Sequence, residues 1–341
     1  MAERSHVLPG GTVLGDRDTI VADLGRCDVL AAAGRADLEN LAGLLAPFAA
    51  PAGTVLVRRG DVAGHFLLLT SGRALVAFGE TGAHKVTAVP QGSILGELAL
   101  LRGTPRSATV TAVTHMRGLM GGRAAFTRLL AIPGVLDKVV IKARQRLAGD
   151  LVPVPVTLRD GTAAGLRPIC PGEQYGLVRE QRLFSDTTRY LRFFAAVDMT
   201  PALARYLAEV DYVDHFAWVA VDRSGVPVGG ATYVRSASDR ALADIGFLIE
   251  DRFQGRGLGT LLMGAIAVAA RRHGIARFCA DVLAENAPMR AILDRAGITW
   301  QPARAGVVHG YAAVPDPGTF GITRGTASAL GAVVDELDIR L

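Results

Sequence analysis

Apolar positions along this chain follow three rhythms in turn. Over residues 50–120 they alternate in short runs. "GTVLVRRGD", "GHFLLLTSGRALVAF" and "HKVTAVPQGS" are broken at Gly60-Asp61, Ser71-Gly72 and Gly79 to Gly82. Alternation with period two, punctuated by glycine turns, predicts strands, and their even spacing predicts a barrel or jelly roll. From about 123 to 148 the spacing becomes helical, in two pieces divided by Pro133. "GDLVPVPVT" then brings Pro153 and Pro155, the composition of a stiff, extended linker.

Past that seam the third rhythm mixes both periods. A strand near "VTLRDGTAAGLRPI" leads to helical segments up to about residue 210. The strands "FAWVAVD", "PVGGATYVR" and "ALADIGFLIE" follow, then a glycine-rich loop and a regular helix. "ARFCADVLAEN", "APMRAILDRAG" and "GVVHGYAAV" complete a strand–helix–strand sequence. Runs of strands with interposed helices predict an α+β or mixed α/β domain on a largely antiparallel sheet. The tail from Pro315 reads as partly helical. The expected division is 1–149, 150–157 as linker, 158–315, and 316–341 as a tail able to serve as a lid.

The loop "DRFQGRGLG" before the helix is the first chemical signal. Leu258, Leu261, Leu262, Ala265, Ile266 and Ala269 form the helix's apolar face, and Arg271, Arg272 and His273 suit its C-terminus. A glycine-rich turn opening a helix exposes unpaired N–H groups and the positive end of the dipole, which together hold a phosphate or pyrophosphate. Gly255, Gly257 and Gly259 have no Cβ to keep an anion away, and Gln254 and Arg256 add side-chain donors. A glycine turn that merely caps a helix would have the same composition, and the triplet does not match the dinucleotide-binding GxGxxG.

The second signal is "SILGELALLRGTPRSATV", residues 93–110. A buried Arg106 suits an anionic phosphate, free N–H groups of the turn near Leu98 serve the same anion, and Glu97 can accept from a sugar hydroxyl. An Arg106–Glu97 salt bridge holding a sheet corner is the equal alternative.

Composition narrows these readings. Of 341 residues, half are hydrophobic and a fifth charged, so two folded domains with real cores are expected. The net charge of +5 and isoelectric point near 9.4 come without a dense Lys/Arg block, which gives no support to a nucleic-acid partner. Cys27, Cys170 and Cys279 form no CxxC, and the seven histidines show no metal-ligand spacing. The expectation is therefore a cytoplasmic protein without a metal, a transmembrane span or a signal peptide; its oligomeric state is left open, with a monomer favoured.

On these residues two family resemblances rest. "QGRGLG", Gln254 to Gly259, after an apolar strand resembles the Q-x-x-G-x-G/A signature of the GNAT acetyltransferases, over roughly residues 155–315. The resemblance implies that Gln254, Gly255, Arg256, Gly257, Leu258 and Gly259 grip the pyrophosphate of acetyl-CoA. It implies that Asn286 contacts the pantetheine arm and that the N–H groups of Gly246, Phe247 and Leu248 hold the acetyl carbonyl. Asp244 matches the position of the family's catalytic Glu and is expected to be the general base, with Glu250 at the strand's far end. The family's Tyr, seven residues after the Asn, is replaced by Leu293, so a side-chain acid for the thiolate is missing there.

"GELA" followed by "PRSA" resembles the phosphate-binding cassette of cyclic-nucleotide-binding domains, over about residues 30–148. It implies that Gly96, Glu97, Leu98, Ala99, Arg106 and Ser107 bind a cyclic nucleotide, cAMP in preference to cGMP, with Arg146 capping the purine. The pairing resembles the actinobacterial cAMP-regulated protein lysine acetyltransferases over nearly the full chain. It implies an N-terminal β jelly roll joined to a GNAT-type mixed α/β domain. The implied activity is acetyl transfer from acetyl-CoA to a lysine ε-amine of a metabolic enzyme such as an acyl-CoA synthetase, by direct attack. An acetyltransferase for a small amine and a non-catalytic sensor of cAMP and acetyl-CoA remain as rivals.

Overall fold

The computed structural model describes residues 16–77, 86–170, 173, 184–193, 210–304 and 306–339. The chain divides into two compact units, 1–143 with 339–341, and 144–338. The expected helical segments between 171 and 210 lie outside the described residues except for 173 and 184–193, and so does the N-terminal stretch 1–15.

The first unit begins with α1 (Arg17–Gly25) and α2 (Arg35–Ala42), followed by β1 (Leu45–Ala50), β2 (Val55–Val57), β3 (His65–Ser71), β4 (Ala74–Ala77), β5 (Val86–Val89) and β6 (Ile94–Leu95). A short helix α3 (Glu97–Arg102) precedes β7 (Thr109–Ala112), β8 (Met116–Gly122), α4 (Arg123–Leu130) and α5 (Val135–Asp150). The strands form two four-stranded sheets, ordered β1-β8-β3-β6 and β2-β7-β4-β5, with antiparallel pairing throughout.

The run "FLLL" in β3 shows why the jelly roll closes. Phe66 and Leu68 join a core that includes Leu24, Leu41 and Phe126 of α1, α2 and α4, whereas Leu67 and Leu69 join Phe48, Val76 and Val110 in the second core. Both faces of the strand are buried, so the run is continuously apolar. In β8, Gly118 and Gly121 leave room for Phe48 and Phe66: a Cβ at either would approach those rings within 2.6 Å.

The second unit contains β9 (Val154–Thr157), β10 (Ala163–Pro168), α6 (Asp186–Phe193), β11 (His215–Val221), β12 (Pro227–Arg235), β13 (Leu242–Ile249), α7 (Leu258–Arg272), β14 (Arg277–Leu283), α8 (Ala287–Arg295), β15 (Thr299–Arg304), β16 (Val307–Ala313) and α9 (Arg324–Leu337). Its eight strands run in the order β15-β16-β14-β13-β12-β11-β10-β9, and only β13 and β14 pair in parallel. β15 was not expected from its sequence; Pro302 confines it to the edge, where one side of the ladder needs no donors.

Two expectations are corrected here. The expected linker 150–157 carries β9, whose residues Val154 to Thr157 pair with β10, because Val154 and Val156 are buried on an alternating strand. The expected tail 316–341 is not a loose appendage. α7 is apolar on nearly its whole circumference and needs cover on the side away from the sheet. α9 and the turn Pro317–Phe320 provide it, burying Phe320, Leu330, Val334 and Leu337 to 1% exposure or less. Gly264 of α7 permits this approach, since a Cβ there would come within 2.5 Å of Ile322.

Leu330→Ala should therefore lower the stability of the full chain by about 2–5 kcal/mol, the usual cost of truncating a buried leucine. Urea unfolding followed by the fluorescence of Trp218, buried beneath α7 with its Nε1 donating to Ala265 O at 2.9 Å, measures the change.

Candidate functional sites in the two units

In the second unit the site begins where a ladder ends. β13 and β14 pair at Leu242–Arg277, Ala243–Phe278 and Asp244–Cys279, and no further. Beyond that point the strands diverge, and a cleft of about 520 Å³ lies between Ile245–Ile249 on one side and Ala280–Val282 on the other. The cleft continues along Gln254, Gly255 and Gly257–Thr260 to Asn286 and Met289.

Register decides which backbone groups face it. Glu250 N–H donates to Val228 O at 3.0 Å and Ser236 N–H to Leu242 O at 2.9 Å, so the even-numbered residues of β13 spend their groups on β12. Odd-numbered residues direct theirs to the open side. Of the expected acetyl-carbonyl donors, Phe247 alone points its N–H into the cleft; Gly246 and Leu248 are committed to β12. Gly246 has another task. Its missing Cβ makes room for the Arg192 guanidinium of α6, on the sheet face opposite α7.

The loop keeps its donors exposed. Gly255 and Gly257 adopt φ of +72° and +87°, and Gly257 caps α7. The first bond of that helix, Leu261 N–H to Gly257 O, spans 3.0 Å, which leaves the N–H groups of Leu258, Gly259 and Thr260 without an intrahelical partner. Gly259 packs against Ile249 and Ile292, with no space for a Cβ. Two side chains depart from expectation. Gln254 Nε2 donates to Thr188 Oγ1 at 2.9 Å and Ile249 O at 3.1 Å, tying the loop to α6 rather than offering the amide to a ligand. Arg256 turns toward Asp160 at 3.5 Å and covers the Phe253 ring, outside the cleft lining. Arg159 lines the cleft in its place, its N–H bonded to Arg256 O at 3.0 Å.

Asn286 is the N-cap of α8: its Oδ1 accepts from Met289 N–H at 3.2 Å, which orients the side chain in the cleft wall. Leu293 is buried at 1% exposure and faces the core, consistent with an apolar residue there.

Asp244 occupies the fork itself, one residue before the cleft lining. The residue as a whole is solvent-accessible, yet the protein around its carboxyl removes enough hydration to push its pKa up from 3.8 to about 6. Arg192 opposes the rise, Asp281 adds to it and His309 opposes it. The Cys279 thiol beside it is raised to about 11 by burial, then by Asp244 and Asp281. Glu250 is buried outside the cleft lining, one oxygen accepting from Arg252 Nε and the other without a hydrogen-bond partner among the described residues. Arg159, Arg192, Asp281 and Arg295 line the cleft without any signal in the local sequence, because segments far apart in the chain bring them there.

In the first unit the cassette is organised around Arg106, which is only 4% exposed. Its Nη1 donates to Gly96 O at 2.7 Å and its Nη2 to His65 O. Its N–H donates to Asp61 O and its carbonyl accepts from Gly60 N–H, both at 2.9 Å. Burial pulls the guanidinium below its ordinary pKa, while Glu97 and Asp61 work against that pull. Gly96, at φ +81°, caps α3 and lies under the guanidinium; a Cβ would sit 2.5 Å from Nη1. Glu97 is fully buried, Ala99 buried, Leu98 half-buried and Ser107 exposed. Arg146, expected to cap the purine, lies on α5 in the second unit.

A cradle for a buried anion in one unit and a glycine-loop cleft at a forked parallel pair in the other define a nucleotide-sensing acyltransferase. A cyclic nucleotide-binding domain matches residues 48–132, and an acetyltransferase (GNAT) domain matches residues 165–299. Acetyltransferase Pat of Mycolicibacterium smegmatis is 41% identical over 296 residues, 86% of this chain and 89% of its own length. A cAMP-dependent protein kinase regulatory subunit of Mucor circinelloides is 43% identical over 79 residues, 23% of this chain and 18% of its own. A solved structure of cAMP-binding acyltransferase from Mycobacterium smegmatis, 36% identical, covers 94% of this chain and 97% of that one with a TM-score of 0.48. The chain belongs to the Pat family of acetyltransferases. Acetyl-CoA is its acyl donor. Among the described residues, no helix is long and apolar enough to cross a membrane, and no group of three metal-ligating side chains occurs.

Gly257→Ala should weaken acetyl-CoA binding by about tenfold, because a left-handed conformation costs a non-glycine residue roughly 1–2 kcal/mol and displaces the cap. Calorimetric titration of the folded variant with acetyl-CoA checks it, with unchanged affinity as the contrary result.

Proposed function

We propose that this enzyme is a cAMP-regulated protein lysine acetyltransferase that acts on metabolic enzymes such as acyl-CoA synthetases, with Asp244 as its general base. The observation that carries the reading is the position of Asp244, at the fork from which the acyl-donor cleft opens, with a pKa near 6. A lysine ammonium has a reference pKa of about 10.4 and cannot attack until it loses a proton. A carboxylate poised near neutrality accepts that proton, directly or through one water, as the amine forms a bond to the thioester carbon. Charge develops on the carbonyl oxygen in that step. The Phe247 N–H, beyond the end of the ladder and facing the cleft, would be the donor for it. The orphan N–H groups of Leu258, Gly259 and Thr260 and the side chain of Arg159 would hold the pyrophosphate, and Asn286 the pantetheine arm. Collapse releases the thiolate of CoA, which takes its proton from water, since Leu293 supplies none.

In the other unit, Arg106 would pair with the cyclic phosphate and Glu97 with the ribose hydroxyl of cAMP, while Gly96, Leu98 and Ala99 contribute backbone. Coupling would run along α5, which contains the boundary between the units at residues 143 and 144. Arg144 anchors its C-terminal half: Nε donates to Leu337 O at 3.0 Å and Nη1 to Asp211 O at 3.1 Å. A coupling of ~1–3 kcal/mol corresponds to roughly 5- to 150-fold activation.

Incubating the chain with labelled acetyl-CoA and cell lysate, with and without cAMP, tests the acceptor class: label on lysines of discrete proteins supports it, and label only in small amines overturns it. Asp244→Asn should lower turnover by roughly 10²–10⁴ while leaving acetyl-CoA affinity nearly unchanged. In the parent chain kcat/KM should fall as pH drops below about 6, where the carboxyl of Asp244 protonates. Arg106→Ala should abolish the response to cAMP and preserve the basal rate, read as the ratio of rates with and without cAMP.

A further inference from the structure

On the sheet face that carries Asp244, the register sets four more side chains beside it. Asp244 pairs with Cys279; on β14 Asp281 lies two residues further, on the same face; Asp281 pairs with His309 and Cys279 with Tyr311 of β16. His309 Nδ1 is hydrogen-bonded to an Asp281 oxygen, and its ring meets Tyr311 edge-on at 4.5 Å. His309 Nε2 is buried with no partner, so Nδ1 is the ring's one polar contact. Asp281 also lines the cleft. Neither residue belongs to the pyrophosphate loop, and the chemistry assigned so far leaves both unused.

We propose that Asp281 and His309 are positioning residues, a hydrogen-bonded pair on β14 and β16 that sets when Asp244 can accept a proton. The proposal rests on the reading of Asp244 as the base. Its physics is local. The carboxylate of Asp281 disfavours a second negative charge at Asp244, and an imidazolium at His309 relieves that repulsion. Among the described residues, the other neighbours are Arg192 from α6, which favours the Asp244 anion, Cys279, whose thiol stays protonated, and Tyr311 across from Cys279; β12 presents Thr232 and Val234 across from Gly246 and Asp244, neither of them titratable. The two partners, held to each other by one hydrogen bond, thus work on Asp244 in opposite directions.

That opposition gives the test. In full-length chain saturated with cAMP, the Asp244 carboxyl is followed by carbon-13 NMR after selective aspartate labelling, its signal assigned by its loss in Asp244→Asn. The acid limb of kcat/KM is measured in parallel with an acetylated lysine-containing peptide as the product. Asp281→Asn should move the Asp244 midpoint down by about half a pH unit or more, and His309→Gln should move it up by a similar amount. Asp281→Glu should restore the parent midpoint. A packing role would change turnover or unfolding without shifting the midpoint in opposite directions. Midpoints unmoved in both variants, or moved the same way, overturn the proposal, and His309→Gln decides alone if Asp281→Asn does not fold. Failure of the base reading looks different: Asp244→Asn would keep its turnover while the NMR midpoints still shift.

Discussion

Everything in the catalytic unit depends on one interruption: a parallel pair of strands that stops after three residues. A sheet normally satisfies each backbone donor with a neighbouring strand, and a buried unpaired N–H is costly. Where β13 and β14 part, that cost is turned to use, because the Phe247 N–H and the walls of the fork become the lining of a cleft. The fork also fixes the depth of the chemistry. Asp244 is the last paired residue, so its Cα is held on both sides by the ladder one residue before the cleft lining begins. α7 makes the arrangement rigid. It is packed between the sheet and α9, and its N-terminus supplies the next set of unpaired donors.

The sensing unit uses the same device in another setting. Arg106 is buried and held by neutral carbonyl oxygens of Gly96 and His65, which fix its geometry without discharging it. A desolvated cation of this kind favours a bound anion more strongly than a surface arginine could. In both units a glycine with positive φ stands at the critical point, Gly96 under the guanidinium and Gly257 at the start of α7. Each does two jobs, since the backbone conformation and the missing Cβ are both needed. The reach of the ligand sets the remaining requirement, and the elements around it differ accordingly.

Local patterns made the strands and the helices with one clear face legible in the sequence, because periodicity reports burial directly. β11, β12, β13, α7 and α8 all follow from it. β15 escaped because an edge strand with Pro302 and few buried residues has no alternation to read. The tail misled for the opposite reason: Leu330, Val334 and Leu337 form an apolar face, but nothing in the sequence says that α7 is what it covers. Of the sites, the glycine loop and the Gly96–Arg106 cassette could be read because their residues are close in sequence. Arg159, Arg192 and Asp281 could not, since each enters the cleft from a separate element through sheet register or helix placement. Arg256 shows the limit of motif reasoning even at short range: it lies in the loop, yet its side chain turns to Asp160 outside the cleft lining.

The raised pKa of Asp244 carries a cost that the fold absorbs. A carboxyl whose pKa is raised in the folded state binds more protons there than in the unfolded chain, so stability falls as pH rises from about 4 to about 6 and stays lower above that. Asp244 thus works against folding at neutral pH. The Arg192 guanidinium, lodged over Gly246 on the same sheet face, opposes that rise and so limits the cost.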